Sequence, residues 1–161
     1  MFLKNGFHSL IGEENREKFD NAHKEIVQDL FAYWACVGDT EMRHYGQAAK
    51  WVNLTVRHGC ESSLVNDDEF ERAIKLIHVP LDVCVLKAIR KCAKEFNDYE
   101  KIGTIPKRPS MSSVSSFEQY QAIQNGIRAL ADEAEVSPIV VDEVAWVRAH
   151  ARLSQAAAAN E

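Results

Sequence analysis

The chain has 161 residues, of which 46% are hydrophobic and 27% charged, a balance that suits one folded domain and excludes a disordered chain. Its net charge of −5 argues against a protein that coats nucleic acid through bulk electrostatics, and no stretch approaches the uninterrupted apolar run of a transmembrane helix. The four cysteines, Cys36, Cys60, Cys84 and Cys92, form neither CxxC nor a zinc-ligand spacing, so reduced thiols, no metal and a cytoplasmic location are expected.

The opening MFLKNGFHSLIGEEN has no long apolar core and no small-residue cleavage site, so it does not read as a secretion signal. From Glu14 to Ala35, Phe19, Ala22, Ile26, Val27, Leu30, Phe31 and Trp34 recur at steps of three and four, which predicts an amphipathic helix ended by Gly38-Asp39. RHYG at 43–46 opens a second helix, with His58-Gly59 as its stop. Asn66 or Asp67 caps a third, whose apolar stripe is Phe70, Ala73, Ile74 and Ile77, and which ends before Pro80. A fourth covers about 81–96, after a sharp junction at His78-Val79-Pro80.

Residues 103–115, GTIPKRPSMSSVS, lack periodicity and read as a surface loop. Ser116 and Gln119 have the spacing of a capping box ahead of Phe117, Tyr120, Ile123, Ile127, Leu130 and Ala131. Ser137-Pro138 places a cap and a first-turn proline before a last helix, IVVDEVAWVRAHARL. The expected architecture is all-α: a compact single domain of about six helices over 1–153, with a frayed C-terminal tail at 154–161.

Two segments stand out for chemistry, YGQAAKWVNLTV at 45–56 and HVPLDVCVLKAI at 78–89. Each carries a single ionisable residue near the start of a helix otherwise rich in small or apolar residues, Lys50 in the first and Asp82 in the second. The run Gly46-Gln47-Ala48-Ala49-Lys50-Trp51-Val52-Asn53-Leu54, followed by Val79-Pro80-Leu81-Asp82, resembles the helix-hairpin-helix DNA glycosylase superfamily. In that superfamily a glycine-bearing turn leads into a helix carrying a lysine, and a later segment carries an essential aspartate.

The resemblance implies a glycosylase-like helical fold, a DNA partner, excision of a modified or damaged base, and abasic-site lyase activity. Lys50 would be the nucleophile that forms a Schiff base with the sugar, and Asp82 its electrostatic or acid–base partner. Tyr45, Gly46, Gln47, Trp51 and Asn53 would meet the substrate, with Tyr45 and Trp51 offered for stacking on a flipped base. No four-cysteine iron–sulfur pattern is present, so no cofactor is expected.

Charge is unevenly spread. Residues 13–41 carry eight acids and three bases, whereas 87–108 carry seven bases and three acids. Lys87, Arg90, Lys91, Lys94, Lys107 and Arg108 are therefore the residues expected to follow phosphates. Each feature also has a plainer account: a solvated lysine, a first-turn aspartate favoured by the helix dipole, and a solvated basic face. His44, His58, Cys60 and His78 fit no ligand spacing, and Asp142, Glu143 and Trp146 read as solvated acids beside a packed indole. Two further classes stay open, a non-catalytic nucleic-acid- or protein-binding module of phage or defence origin, and a protein-binding adaptor with charged faces. The target base, strand preference and oligomeric state are not legible.

Overall fold

The computed structural model describes residues 2–38, 44–62, 64–96 and 105–158, without the side chains of 2–5, 93–96, 150 and 152–158. These residues form seven α-helices and a 3₁₀ turn, with no strand among them. In chain order the elements are α1 (Phe2–Ile11), α2 (Arg16–Cys36), α3 (Tyr45–Glu61), α4 (Asp67–Ala73), α5 (Val83–Phe96), the 3₁₀ turn (Met111–Ser113), α6 (Phe117–Glu133) and α7 (Pro138–Ala158). No helix of the described residues is long and apolar enough to cross a membrane.

The helix starts are set by short polar side chains that accept otherwise orphaned backbone N–H groups. Asn15 Oδ1 accepts from the Lys18 N–H at 3.0 Å at the head of α2, and Ser116 Oγ accepts from the Gln119 N–H at 3.2 Å at the head of α6. Asn66 and Glu69 close a reciprocal box on α4, at 2.9 and 3.0 Å. After α2 the chain turns at Gly38, whose φ of +75° is costly for any residue with a Cβ.

α3 is the hub, packing against α1, α2, α4, α6 and the 3₁₀ turn, while α7 closes the other side across α5 and α6. The apolar stripes of these helices meet in one core that includes Phe19, Val27, Val52, Val56, Leu81, Leu86, Ile123 and Ile127. Asp82 follows a buried, non-helical segment, residues 77–81. Its backbone is served by side chains: Val79 N–H donates to Gln124 Oε1, Val79 O accepts from Asn53 Nδ2 and Gln124 Nε2, and Leu76 O accepts from Arg128. An interior stretch outside regular structure needs such partners, because an unpaired buried peptide group costs about 1–3 kcal/mol.

Several boundaries differ from the sequence reading. α1 is an additional helix, held by Phe7, Leu10 and Ile11 in the core. α3 does not stop at His58-Gly59 but runs to Glu61. Gly59 sits where α1 crosses, and a Cβ there would lie 2.2 Å from the Phe7 ring, so this glycine serves close approach and not termination. The 103–115 segment is not wholly a surface loop: Pro109 and Val114 are buried, and the 3₁₀ turn packs on α3. α4 is shorter than the apolar stripe implies, giving way to turns after Ala73. α7 spans Pro138–Ala158, in keeping with an alanine run that favours helix, and the last three positions of the expected tail lie outside the described residues.

Candidate functional site

α3, the approach to α5, and α7 converge on a cleft of about 630 Å³. Lys50, Leu54, Arg57, His58 and Glu61 line it from α3, Pro80 and Asp82 from the segment before α5, and Asp142, Glu143, Trp146 and Val147 from α7. Lys50 Nζ stands 4.0 Å from Asp82 Oδ2, with the two side chains 23% and 13% exposed. Residues far apart in the chain thus form one ion pair at the wall of one cleft.

The Asp82 carboxylate is fixed from two directions. Its Oδ1 accepts from the N–H groups of Cys84 at 2.8 Å and Val85 at 2.9 Å, capping α5. Its Oδ2 accepts from the Trp146 indole N–H at 3.0 Å, which fixes the orientation of the oxygen nearest Lys50. Asp82 therefore precedes the first turn of α5 as its cap, and does not lie within it.

Asp142 and Trp146 depart most from the sequence reading. Asp142 is not solvated: it is 3% exposed, its Oδ2 accepts from Arg57 Nη1 at 2.5 Å, and its Oδ1 is buried without a hydrogen-bond partner among the described residues. Burial pushes its carboxyl up to about 6, the Arg57 charge offsets only part of this, and the Asp82 and Glu143 charges push further upward. Trp146 is half-exposed and bonded across the cleft to Asp82, so its indole is a wall and not core packing. Glu143 does remain on the exposed side, with its carboxylate 3.6 Å from Arg57.

The other residues expected at the substrate do not gather here. Asn53 is buried on the opposite side of α3, donating to Val79 O and Tyr120 OH. Gly46 is buried against the 3₁₀ turn, where a Cβ would lie 2.4 Å from Met111 O, so its missing side chain admits protein backbone and not a ligand. Gln47 accepts from the His44 N–H at 3.0 Å as part of the helix start. Tyr45 packs on Phe117 and Tyr120, and Trp51 is exposed outside the cleft lining. Helical geometry explains the split: positions 50, 54, 57, 58 and 61 share one face of α3, while 46, 49 and 53 share the other.

The basic residues form a separate groove of about 650 Å³, lined by Val83, Lys87, Arg90, Lys91, Lys107, Arg108, Pro109 and Ser110. Arg90 reaches from α5 to the carbonyl of Lys107 at 2.6 Å, tying the 105–110 segment to the helix and placing its two cations beside those of α5. The side chain of Lys94 lies outside the described residues. The groove lining includes Val83, next in the chain to the cleft carboxylate Asp82, so consecutive residues at the start of α5 border the two depressions.

Beneath α3 lies a buried polar chain that the sequence did not announce. His23 Nε2 lies 2.7 Å from Asn53 Oδ1, Asn53 Nδ2 donates to Tyr120 OH at 2.9 Å, Tyr120 OH lies 2.8 Å from His78 Nδ1, and His78 Nε2 lies 2.8 Å from Asp20 Oδ1. Asp20 also accepts two bonds from Arg128, at 2.8 and 2.9 Å. A carboxylate at the end fixes the direction throughout: His78 donates from Nε2, Tyr120 donates to His78 Nδ1, and His23 donates to Asn53. Burial pushes His78 down to about 4 and His23 well below its usual range, so both are neutral at pH 7. Burial alone would raise the Asp20 carboxyl, but hydrogen bonds from His78 and Arg128 carry it far below the usual carboxylate range. Because His78 is neutral, the charge that keeps Asp20 ionised is that of Arg128.

Comparison with protein-family models, curated proteins and solved structures gives no match to this chain.

Proposed function

We propose that the chain is a DNA glycosylase that removes a modified or damaged base, with abasic-site lyase activity through Lys50. The observation that carries this reading is the Lys50–Asp82 pair, 4.0 Å apart in a cleft whose Asp82 is followed in the chain by Val83 of a basic groove. The electrostatics divide the work. Glu61, Asp82 and Glu143 outnumber Lys50 and Arg57 in the cleft, which suits a sugar carbon developing positive charge and disfavours phosphates. Lys87, Arg90, Lys91, Lys107 and Arg108 hold the phosphates alongside.

In this reading the Lys50 amine attacks the sugar carbon as the base leaves, forming a Schiff base, and the Asp82 carboxylate stabilises the cationic transition state. The test is incubation with duplexes carrying single modified bases, with borohydride added to trap covalent protein–DNA adducts. Trapping by the wild type and its abolition in Lys50→Ala are expected, with Asp82→Asn releasing base on the order of a hundredfold more slowly. Full activity of Asp82→Asn, or no base release from any substrate, would overturn the assignment.

A second reading rests on one observation. The Asp82 carboxylate already makes three hydrogen bonds, two to the start of α5 and one to Trp146, and so has a structural task without any reaction. A non-catalytic DNA-binding module would keep the groove, bind DNA in a salt-dependent way and lose only thermal stability in Asp82→Asn.

A further inference from the structure

We propose, building on the glycosylase reading above, that Asp142 is the proton donor of the cleft, delivering the proton that the departing base takes up while Lys50 attacks. Asp142 lies at the cleft floor on the second turn of α7, lining the same depression as Lys50 and Asp82. Of the cleft acids it is the one withdrawn from water: it is buried, whereas the Glu61 and Glu143 side chains are 47% and 58% exposed. Asp82 is held by three N–H donors, two at the start of α5 and the Trp146 indole. Asp82 is thus held by hydrogen-bond donors, as suits an electrostatic partner, whereas Asp142 is buried with its carboxyl raised, as suits a proton donor.

The groups facing Asp142 favour that role. From α3 come Lys50, Arg57 and Glu61, from the start of α5 come Asp82 and Cys84, and Glu143 is its neighbour on α7. Burial, helped by the Asp82 and Glu143 charges and opposed by those of Arg57 and Lys50, holds the proton on until the base departs, in line with a carboxyl raised to about 6. Arg57, bonded to Oδ2 at 2.5 Å, then stabilises the carboxylate that remains.

The step balances. The Lys50 ammonium first gives one proton to water; the freed Nζ lone pair then forms the bond to the anomeric carbon, the bond from that carbon to the base nitrogen breaks, and its electron pair leaves on that nitrogen. Asp142 gives its proton to the nitrogen and becomes a carboxylate. The surplus proton on Nζ passes to Asp82, and no oxidant or reductant takes part.

The test measures single-turnover base release from duplexes containing one uracil, 5-fluorouracil, hypoxanthine or 8-oxoguanine, across pH. For the wild type a break near pH 6 is expected. Asp142→Asn should lose that break and slow release about a hundredfold, with a smaller loss for 5-fluorouracil than for uracil, because a better leaving group needs less protonation. Asp142→Glu should restore part of the rate, since it returns a carboxyl without restoring the packing. An unchanged profile in Asp142→Asn, or a carbon-13 titration placing the Asp142 carboxyl in the ordinary range, overturns the donor while leaving Lys50 trapping intact. Absence of release from every substrate ends the glycosylase reading, and the donor with it.

Discussion

His78 and Asp142 respond to acid in opposite senses. His78 is buried and neutral, with its pKa lowered to about 4, so the stability it contributes is present above the ordinary histidine range and is lost as pH falls toward 4. Asp142 has a carboxyl raised to about 6, so its contribution is present below the ordinary carboxylate range and is lost as pH rises through 6. Between pH 4 and 6 Asp142 therefore offsets part of the destabilisation due to His78. Asp142→Asn removes the offset, so denaturant titrations should show a steeper acid loss in the variant. The difference between variant and wild type should grow by up to about 3 kcal/mol, roughly two pKa units at about 1.4 kcal/mol each. Equal steepness would mean that Asp142 ionises in the usual range. Of these residues the sequence disclosed only some. Lys50 and Asp82 stand out because each is a charge set among small or apolar residues, whereas Asp142 finds its partner in Arg57, 85 positions away. Asn53 lies near Lys50 in sequence, and only the helical rotation between them sends one to the cleft and the other to Tyr120.

Helices with long apolar stripes, α2, α5 and α6, are read directly from spacing, because their periodicity and their packing agree. α1 escapes that reading because ten residues are marginal as an isolated helix, and its order comes from docking Phe7 onto α3 at Gly59. Gly59→Ala should therefore act on α1 more than on α3 itself: alanine is the better helix former, yet its Cβ would overlap the Phe7 ring. The expected result is a net destabilisation of about 1–3 kcal/mol, with faster amide exchange across α1 and little change across α6. A variant as stable as the wild type would show that α1 contributes little at this crossing. The 105–116 segment escapes the sequence for a related reason. Its prolines and serines mark irregular backbone correctly, but irregular does not mean exposed: Val114 is fully buried, and its carbonyl accepts from the Gly46 N–H at 2.9 Å.

The net charge of the whole chain conceals the most useful feature of its surface, an acid-rich cleft and a cationic groove side by side. The all-helical architecture is legible from periodicity, but the adjacency is not, because it depends on α7 folding across α5 and on Arg90 drawing in the 105–110 segment. If the groove carries the phosphates, Lys87→Glu, Lys91→Glu and Lys107→Glu together should weaken duplex binding at least tenfold. The log–log salt slope should fall by about 0.9 for each phosphate left without a cation, as read by fluorescence anisotropy between about 50 and 200 mM salt. An unchanged slope would exclude this surface. The indole of Trp146 touches the charged cleft, whereas Trp34 is half-buried and Trp51 stands on open helix surface. Indole emission shifts with the electric field at the ring, so one of the three tryptophans is a native optical sensor, reporting occupancy and ionisation of the cleft without a label.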